Sequence, residues 1–192
     1  MRHTLLMLLA LAGLVGCSDP GWRTKDISGL MPPLAFELVN ENGKTVSAEA
    51  YRGQVTLLYF GFTHCPDVCP TTLAQLAAAA NELGEETQDE LRVLFVSVDP
   101  ARDDPETLHD YTTAFGPEFV GLTGDRAALD ALTRRYHVTY GYGDKDAEGN
   151  YDVSHSSAVF AFTRDGEAQL LIRESDPRPA VVDDLQRLLA RG

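Results

Sequence analysis

The chain has 192 residues, a formal net charge of −13 at pH 7 and a pI near 4.6. That acidic balance excludes nucleic-acid binding through a basic surface. With 44% hydrophobic residues and no internal repeat or low-complexity segment, the part beyond residue 30 suits one domain with a core that needs no staples.

At the N-terminus, Arg2 supplies a positive start and residues 5–15 an apolar run broken only by small residues. The run is too short for a dedicated membrane span. It ends in Leu14-Val15-Gly16-Cys17, which resembles the lipobox of bacterial lipoprotein signals. The resemblance implies that residues 1–16 are a cleaved signal peptide and that Cys17 carries a diacylglycerol. The protein is then held on the periplasmic side of a bacterial membrane, each buried methylene contributing about 0.8 kcal/mol. An ordinary secretory signal, the alternative, also exports the chain. Residues 17–30, with Pro20, Gly21 and Gly29, read as the lipidated cysteine and a flexible tether, and residues 31–192 as the folded domain.

Within that domain, residues 36–39 and 44–46 read as a hairpin around Asn42-Gly43. Residues 55–60 are a nearly continuous apolar run, as expected of a central strand covered on both faces. A helix is expected from residue 71 to about 87, with Pro70 in its first turn. Residues 91–98 read as a second buried strand, 105–115 as a helix and 119–122 as a short strand. The next helix runs from about Asp125 to Tyr136, and residues 140–150, rich in Gly, Asp and Lys, read as a long loop. Residues 158–162 and 168–172 form a hairpin around Arg164-Asp165-Gly166, and a closing helix spans 178–189. This order gives an α/β sandwich with a mixed central sheet flanked by helices. With a cysteine pair at the end of the first long strand, it resembles the thioredoxin arrangement.

The chain has three cysteines. With Cys17 committed to lipid, Cys65 and Cys69 have only each other, and a loop that short gains little from chain-entropy restriction as a structural staple. Two thiols at the exit of a buried strand make either a redox couple or part of a soft-metal site, and the spacing alone does not choose. Pro70 at the first helical position makes Cys69 the capping residue, where free amides and the helix dipole favour thiolate.

A third partner is sought among five histidines. His3 leaves with the signal, His109 sits on a surface helix, and His137 ends a helix where a cation suits the dipole. His64, next to Cys65, points away by the alternation of extended chain. His155 precedes the strand starting at Ala158, a turn that the thioredoxin arrangement brings beside the cysteine pair. Two thiolates and an imidazole suit copper: sulfur favours Cu(I), and imidazole helps hold Cu(II).

The stretches Gly61-Phe-Thr-His-Cys-Pro-Asp-Val-Cys-Pro-Thr71 and Ser97-Val-Asp-Pro-Ala-Arg-Asp-Asp-Pro105, with the histidine turn, resemble the Sco-type copper chaperones of the SenC/PrrC group. The resemblance covers nearly all of the exported domain. It implies a thioredoxin-like fold and one copper, as Cu(I) or Cu(II), on Cys65, Cys69 and His155. It also implies a role in assembling the dinuclear copper centre of cytochrome c oxidase subunit II, as metal donor, as thiol reductant, or both. A second periplasmic copper carrier is a further implied partner. The chain departs from the family at Ser154, where an aspartate often precedes the ligand histidine; Asp152 is the candidate to replace it in tuning the site. Asp99 and Asp103 are expected at the rim, either presenting the site or as a solvated Asp-Pro turn.

The leading reading is thus a copper-delivering assembly factor rather than an enzyme. The alternative is a thiol–disulfide reductase that keeps the oxidase's copper-ligand cysteines reduced, which needs no His155. A peroxiredoxin-like peroxidase ranks third, because no single attacking cysteine with an assisting arginine stands out.

Overall fold

The computed structural model describes residues 21–191; the expected signal peptide and the expected lipidation site at Cys17 lie outside them. The first half of the chain forms β1 (Lys25–Asp26), β2 (Glu37–Asn40), β3 (Thr45–Ser47), β4 (Val55–Gly61), α1 (Val68–Leu83) and β5 (Leu91–Ser97). There follow α2 (Pro105–Thr113), β6 (Phe119–Thr123), α3 (Arg126–Arg135), β7 (Tyr140–Tyr142), β8 (Val153–His155), β9 (Val159–Phe162), β10 (Ala168–Ile172) and α4 (Arg178–Ala190).

Seven consecutive buried residues make β4 the central strand, with no polar face to offer water. It pairs in parallel with β5 from Val55↔Leu91 to Gly61↔Ser97, and antiparallel with β9. Eight strands form one mixed sheet in the order β1-β10-β9-β4-β5-β6-β2-β3, and β7 pairs with β8 separately. The thioredoxin-like α/β order is the observed one. Because β4 and β5 are parallel neighbours, the loops leaving their C-terminal ends emerge side by side.

Helix starts follow local chemistry. Asp104 caps α2 by accepting from the Thr107 amide at 2.8 Å, and Asp125 caps α3 by accepting from Ala128 at 2.8 Å. At the end of α3, His137 adopts φ 54°. Its amide reaches the Arg134 carbonyl and the Val138 amide reaches that of Thr133, a Schellman closure. The role of His137 is therefore set by its backbone. Helix α1 begins earlier than expected, with Asp67 as its N-cap and Pro70 as its third residue. Proline is accommodated there because its missing N–H has no intrahelical partner in the first turn. Cys69 is thus inside the helix rather than at its cap.

Two further expectations are corrected. The segment of the expected tether from residue 21 to 30 belongs to the folded domain: β1 pairs with β10, and Ile27 is buried in the core. Its anchor is Asp184, only 1% exposed, which accepts from the Arg23 amide at 3.0 Å, the Thr24 amide at 2.7 Å and the Thr24 hydroxyl at 2.8 Å. The Arg187 and Arg191 guanidinium groups lie 4.6 and 4.4 Å from the centre of the Trp22 ring. The expected loop at 140–150 in turn contains β7, whose partner is the segment carrying His155.

Replacing Asp184 with Asn removes the charge that gathers these donors. Hydrogen bonds to a charged group contribute roughly 1.5–3 kcal/mol each, so Asp184→Asn should cost about 2 kcal/mol in urea unfolding. It should also open residues 21–26 to limited proteolysis before the rest of the domain.

Candidate metal centre

The loop leaving β4 carries Cys65, and the first turn of α1 carries Cys69. The Cys65 amide donates to the Phe62 carbonyl at 3.2 Å, a turn that brings Cys65 back over the start of α1. The Cys69 amide, one of the free donors of the first helical turn, then points at Cys65 Sγ at 3.4 Å. The helix N-terminus therefore serves Cys65. Cys69 is fully buried, and burial pushes its thiol up to about 12, against the expectation of a thiolate at the cap. Gly61 is required beside it: a Cβ there would stand 2.7 Å from Cys69 Sγ and 2.7 Å from the Phe95 ring.

His155 arrives from the other side, at the end of β8. Its Nδ1 donates to the Ser156 carbonyl at 3.0 Å, which leaves the Nε2 lone pair facing Cys69 Sγ at 3.2 Å. The ring is held edge-on by Tyr59 and Phe62, with centroids 6.0 and 5.8 Å away. Burial lowers the pKa of His155, which favours the neutral imidazole that a metal needs. One donor atom from each of Cys65, Cys69 and His155 lies within 4.8 Å of the others. Both thiols are free, so the arrangement can close a disulfide or hold one soft metal ion.

The other sequence candidates lie elsewhere. His64 turns out toward Asp103, with Nδ1 3.6 Å from Oδ1, and His109 sits 3.5 Å from Glu41 on α2. Strand alternation puts Asp152 and Ser154 on the face opposite His155, and Ser154 Oγ reaches the Gly141 carbonyl. The backbone carbonyl of Ser156 holds the imidazole instead.

Asp99 and Asp103 are neither rim residues nor a solvated turn; both are 0% exposed. Asp103 accepts from the Thr63 amide at 2.9 Å, the Thr63 hydroxyl at 2.6 Å and Ser97 Oγ at 2.5 Å. Asp99 accepts from Arg102 Nε at 2.5 Å and the Tyr151 hydroxyl at 2.6 Å, and the Arg102 guanidinium lies 3.8 Å over the Tyr151 ring. Asp103 thus fastens the cysteine loop, and Asp99 the hairpin of His155. Sequence reasoning passed over Tyr151, although it shares the parity of Val153 and His155 and so their face of the strand. It also passed over Tyr59, because a strand buried at every position offers no alternation to single out one side chain.

Tyr151→Phe leaves a buried carboxylate oxygen without its donor. It should cost about 2 kcal/mol and speed amide hydrogen exchange in β7 and β8 while leaving α1 unchanged.

Comparison with known proteins places this arrangement. The SCO1/SenC family model matches residues 32–190. The human mitochondrial SCO1 homolog is 41% identical over 133 residues, covering 69% of this chain but only 44% of the human protein. A protein of Stutzerimonas stutzeri named for copper binding is 37% identical over 154 residues, 80% of this chain and 73% of its own length. Among solved structures, apo Sco1 of Thermus thermophilus has a TM-score of 0.77 at 36% identity, covering 89% of this chain and 99% of that one. Copper-bound ScoI of Arabidopsis thaliana has a TM-score of 0.76 at 31% identity, covering 83% and 99%. Matched from residue 32 to residue 190 on a thioredoxin-like sheet, the chain belongs to the SCO1/SenC family.

Proposed function

We propose that this protein is a lipid-anchored periplasmic copper chaperone that carries one copper between Cys65, Cys69 and His155. It delivers the metal to the dinuclear copper centre of cytochrome c oxidase subunit II, and a second copper carrier of the periplasm supplies it. The observation that carries this reading is the convergence of two thiols and a neutral imidazole within 4.8 Å. The copper-bound ScoI structures of Arabidopsis thaliana and Bradyrhizobium japonicum, at 31% and 34% identity, support it.

Copper is cargo here, and the residues' work is to bind and release it. Loading displaces the Cys69 thiol proton and requires both sulfurs reduced, so uptake is tied to thiol redox state. Cys65 and His155 are partly exposed whereas Cys69 is buried. Incoming thiolates of the acceptor therefore replace Cys65 and His155 first, and Cys69 releases last. Lipid on Cys17 would keep the domain close to the bilayer. Gly21 already belongs to the fold, and four peptide steps reach about 14 Å when extended.

The pre-reduced domain should bind one copper per chain, with a thiolate-to-Cu(II) charge-transfer band that Cys65→Ser and Cys69→Ser abolish. His155→Ala should alter the band and weaken affinity by at least roughly 100-fold, the upper range for losing even an outer partner of a ligand. Mild thiol oxidation should abolish Cu(I) uptake. Copper indifferent to His155, or none bound, would favour the second reading, thiol–disulfide exchange with the oxidase's cysteines. The accessible Cys65 in front of the buried Cys69 suits that chemistry as attacking and resolving thiol.

Anchoring is tested separately. The full chain should fractionate with membranes and need detergent for release, whereas Cys17→Ser should appear in the soluble fraction.

A further inference from the structure

Tyr59 is the group at this site that no ligand role accounts for. It is 0% exposed, yet its hydroxyl has no hydrogen-bonding partner among the described residues. Buried hydroxyls in folded proteins are nearly always paired, and an exception calls for an explanation. Strand alternation puts Tyr59 on the same face of β4 as Gly61, the residue whose α-carbon faces Cys69 Sγ. The Tyr59 ring meets the His155 ring edge-on at 6.0 Å and that of Phe95 at 6.2 Å. The side chain is therefore enclosed between two of the three donors and the core.

Two groups bear on the hydroxyl, Cys69 and Thr72 one turn further along α1. Of the two neighbours, the sulfur becomes anionic when it holds a metal, and an anionic acceptor draws a stronger hydrogen bond than a neutral hydroxyl.

We propose that Tyr59 is a positioning residue whose hydroxyl donates to Cys69 Sγ when that sulfur carries copper. The inference rests on the copper site proposed above. With copper on the sulfur, this donor completes its surroundings. Hydrogen bonding to a ligating cysteine sulfur withdraws electron density and tunes the metal's redox behaviour.

The test is Tyr59→Phe, compared with Thr72→Val and the unaltered domain. Tyr59→Phe should fold, because it keeps the ring that packs against His155 and Phe95; circular dichroism and urea unfolding check this. It should still bind one copper per chain. Its thiolate-to-Cu(II) band should move to longer wavelength, and Cu(I) affinity should fall by about tenfold, the low end for outer partners of a metal site. Thr72→Val should leave band and affinity in place. A Tyr59→Phe band superimposed on that of the unaltered protein overturns the inference. So does an equal shift in Thr72→Val, which would assign the hydroxyl to Thr72. If the unaltered domain binds no copper, the site reading itself fails and this inference goes with it; stoichiometry separates that outcome from the others.

Discussion

Two carboxylates sealed from solvent, on a loop that supplies no ligand, are the constraint on which the site depends. Asp103 and Asp99 follow β5, and each reaches a different segment of the candidate site: Asp103 the cysteine loop through Thr63, Asp99 the histidine hairpin through Tyr151. Burying a carboxylate costs several kcal/mol unless its oxygens are satisfied. Here each carboxylate takes one donor from beside it, Ser97 or Arg102, and the rest from a segment that must be brought in. The cost of burial is fully offset when the three segments are assembled, so the polar network favours the arrangement in which Cys65, Cys69 and His155 converge. The parallel β4–β5 pairing makes this feasible by setting Gly61 beside Ser97 at the strand ends.

That network also explains what a linear reading of the chain can and cannot see. The central strands, the caps at Asp104 and Asp125 and the closing helix are legible because their signals lie within a few neighbouring residues. The strand β1 is two residues long and owes its place to Asp184, some 160 positions away. The strand β7 is hidden in a Gly-rich stretch; Tyr142 fastens it to the Val98 carbonyl, and Arg126 covers the Tyr140 and Tyr142 rings. The segment containing Asp99 and Asp103 carries the local signature of a solvated turn. Its burial is decided by partners 40 and 52 residues distant. His155 could be singled out only by analogy with a known fold, since nothing in Ser154-His155-Ser156 announces a ligand.

The cysteine motif shows the same limit at finer scale. Four-residue spacing at a helix start correctly brings two sulfurs to one pocket, and the dipole argument correctly predicts free amides there. Which sulfur receives them depends on where the helix begins. Starting at Val68 rather than after Pro70 moves Cys69 under β4, where Gly61 leaves just enough room for its sulfur. Cys65 then takes the amide in its place.

This asymmetry has a chemical consequence for the proposed holding and release of a soft cation. The buried Cys69 is kept as a thiol at neutral pH and His155 as a neutral imidazole, so the pocket avoids carrying an isolated buried charge. A bound cation makes the thiolate affordable, because the charge it introduces neutralises the anion left by the departing proton. Tight holding at the buried end and access at the exposed end are then properties of different donors. Exchange can begin at Cys65 without first uncovering Cys69, whose neighbours are packed side chains rather than solvent. A site with both sulfurs buried would hold metal but present no donor to a partner. One with both exposed would exchange freely but retain little, and the placement of α1 against β4 lies between these extremes.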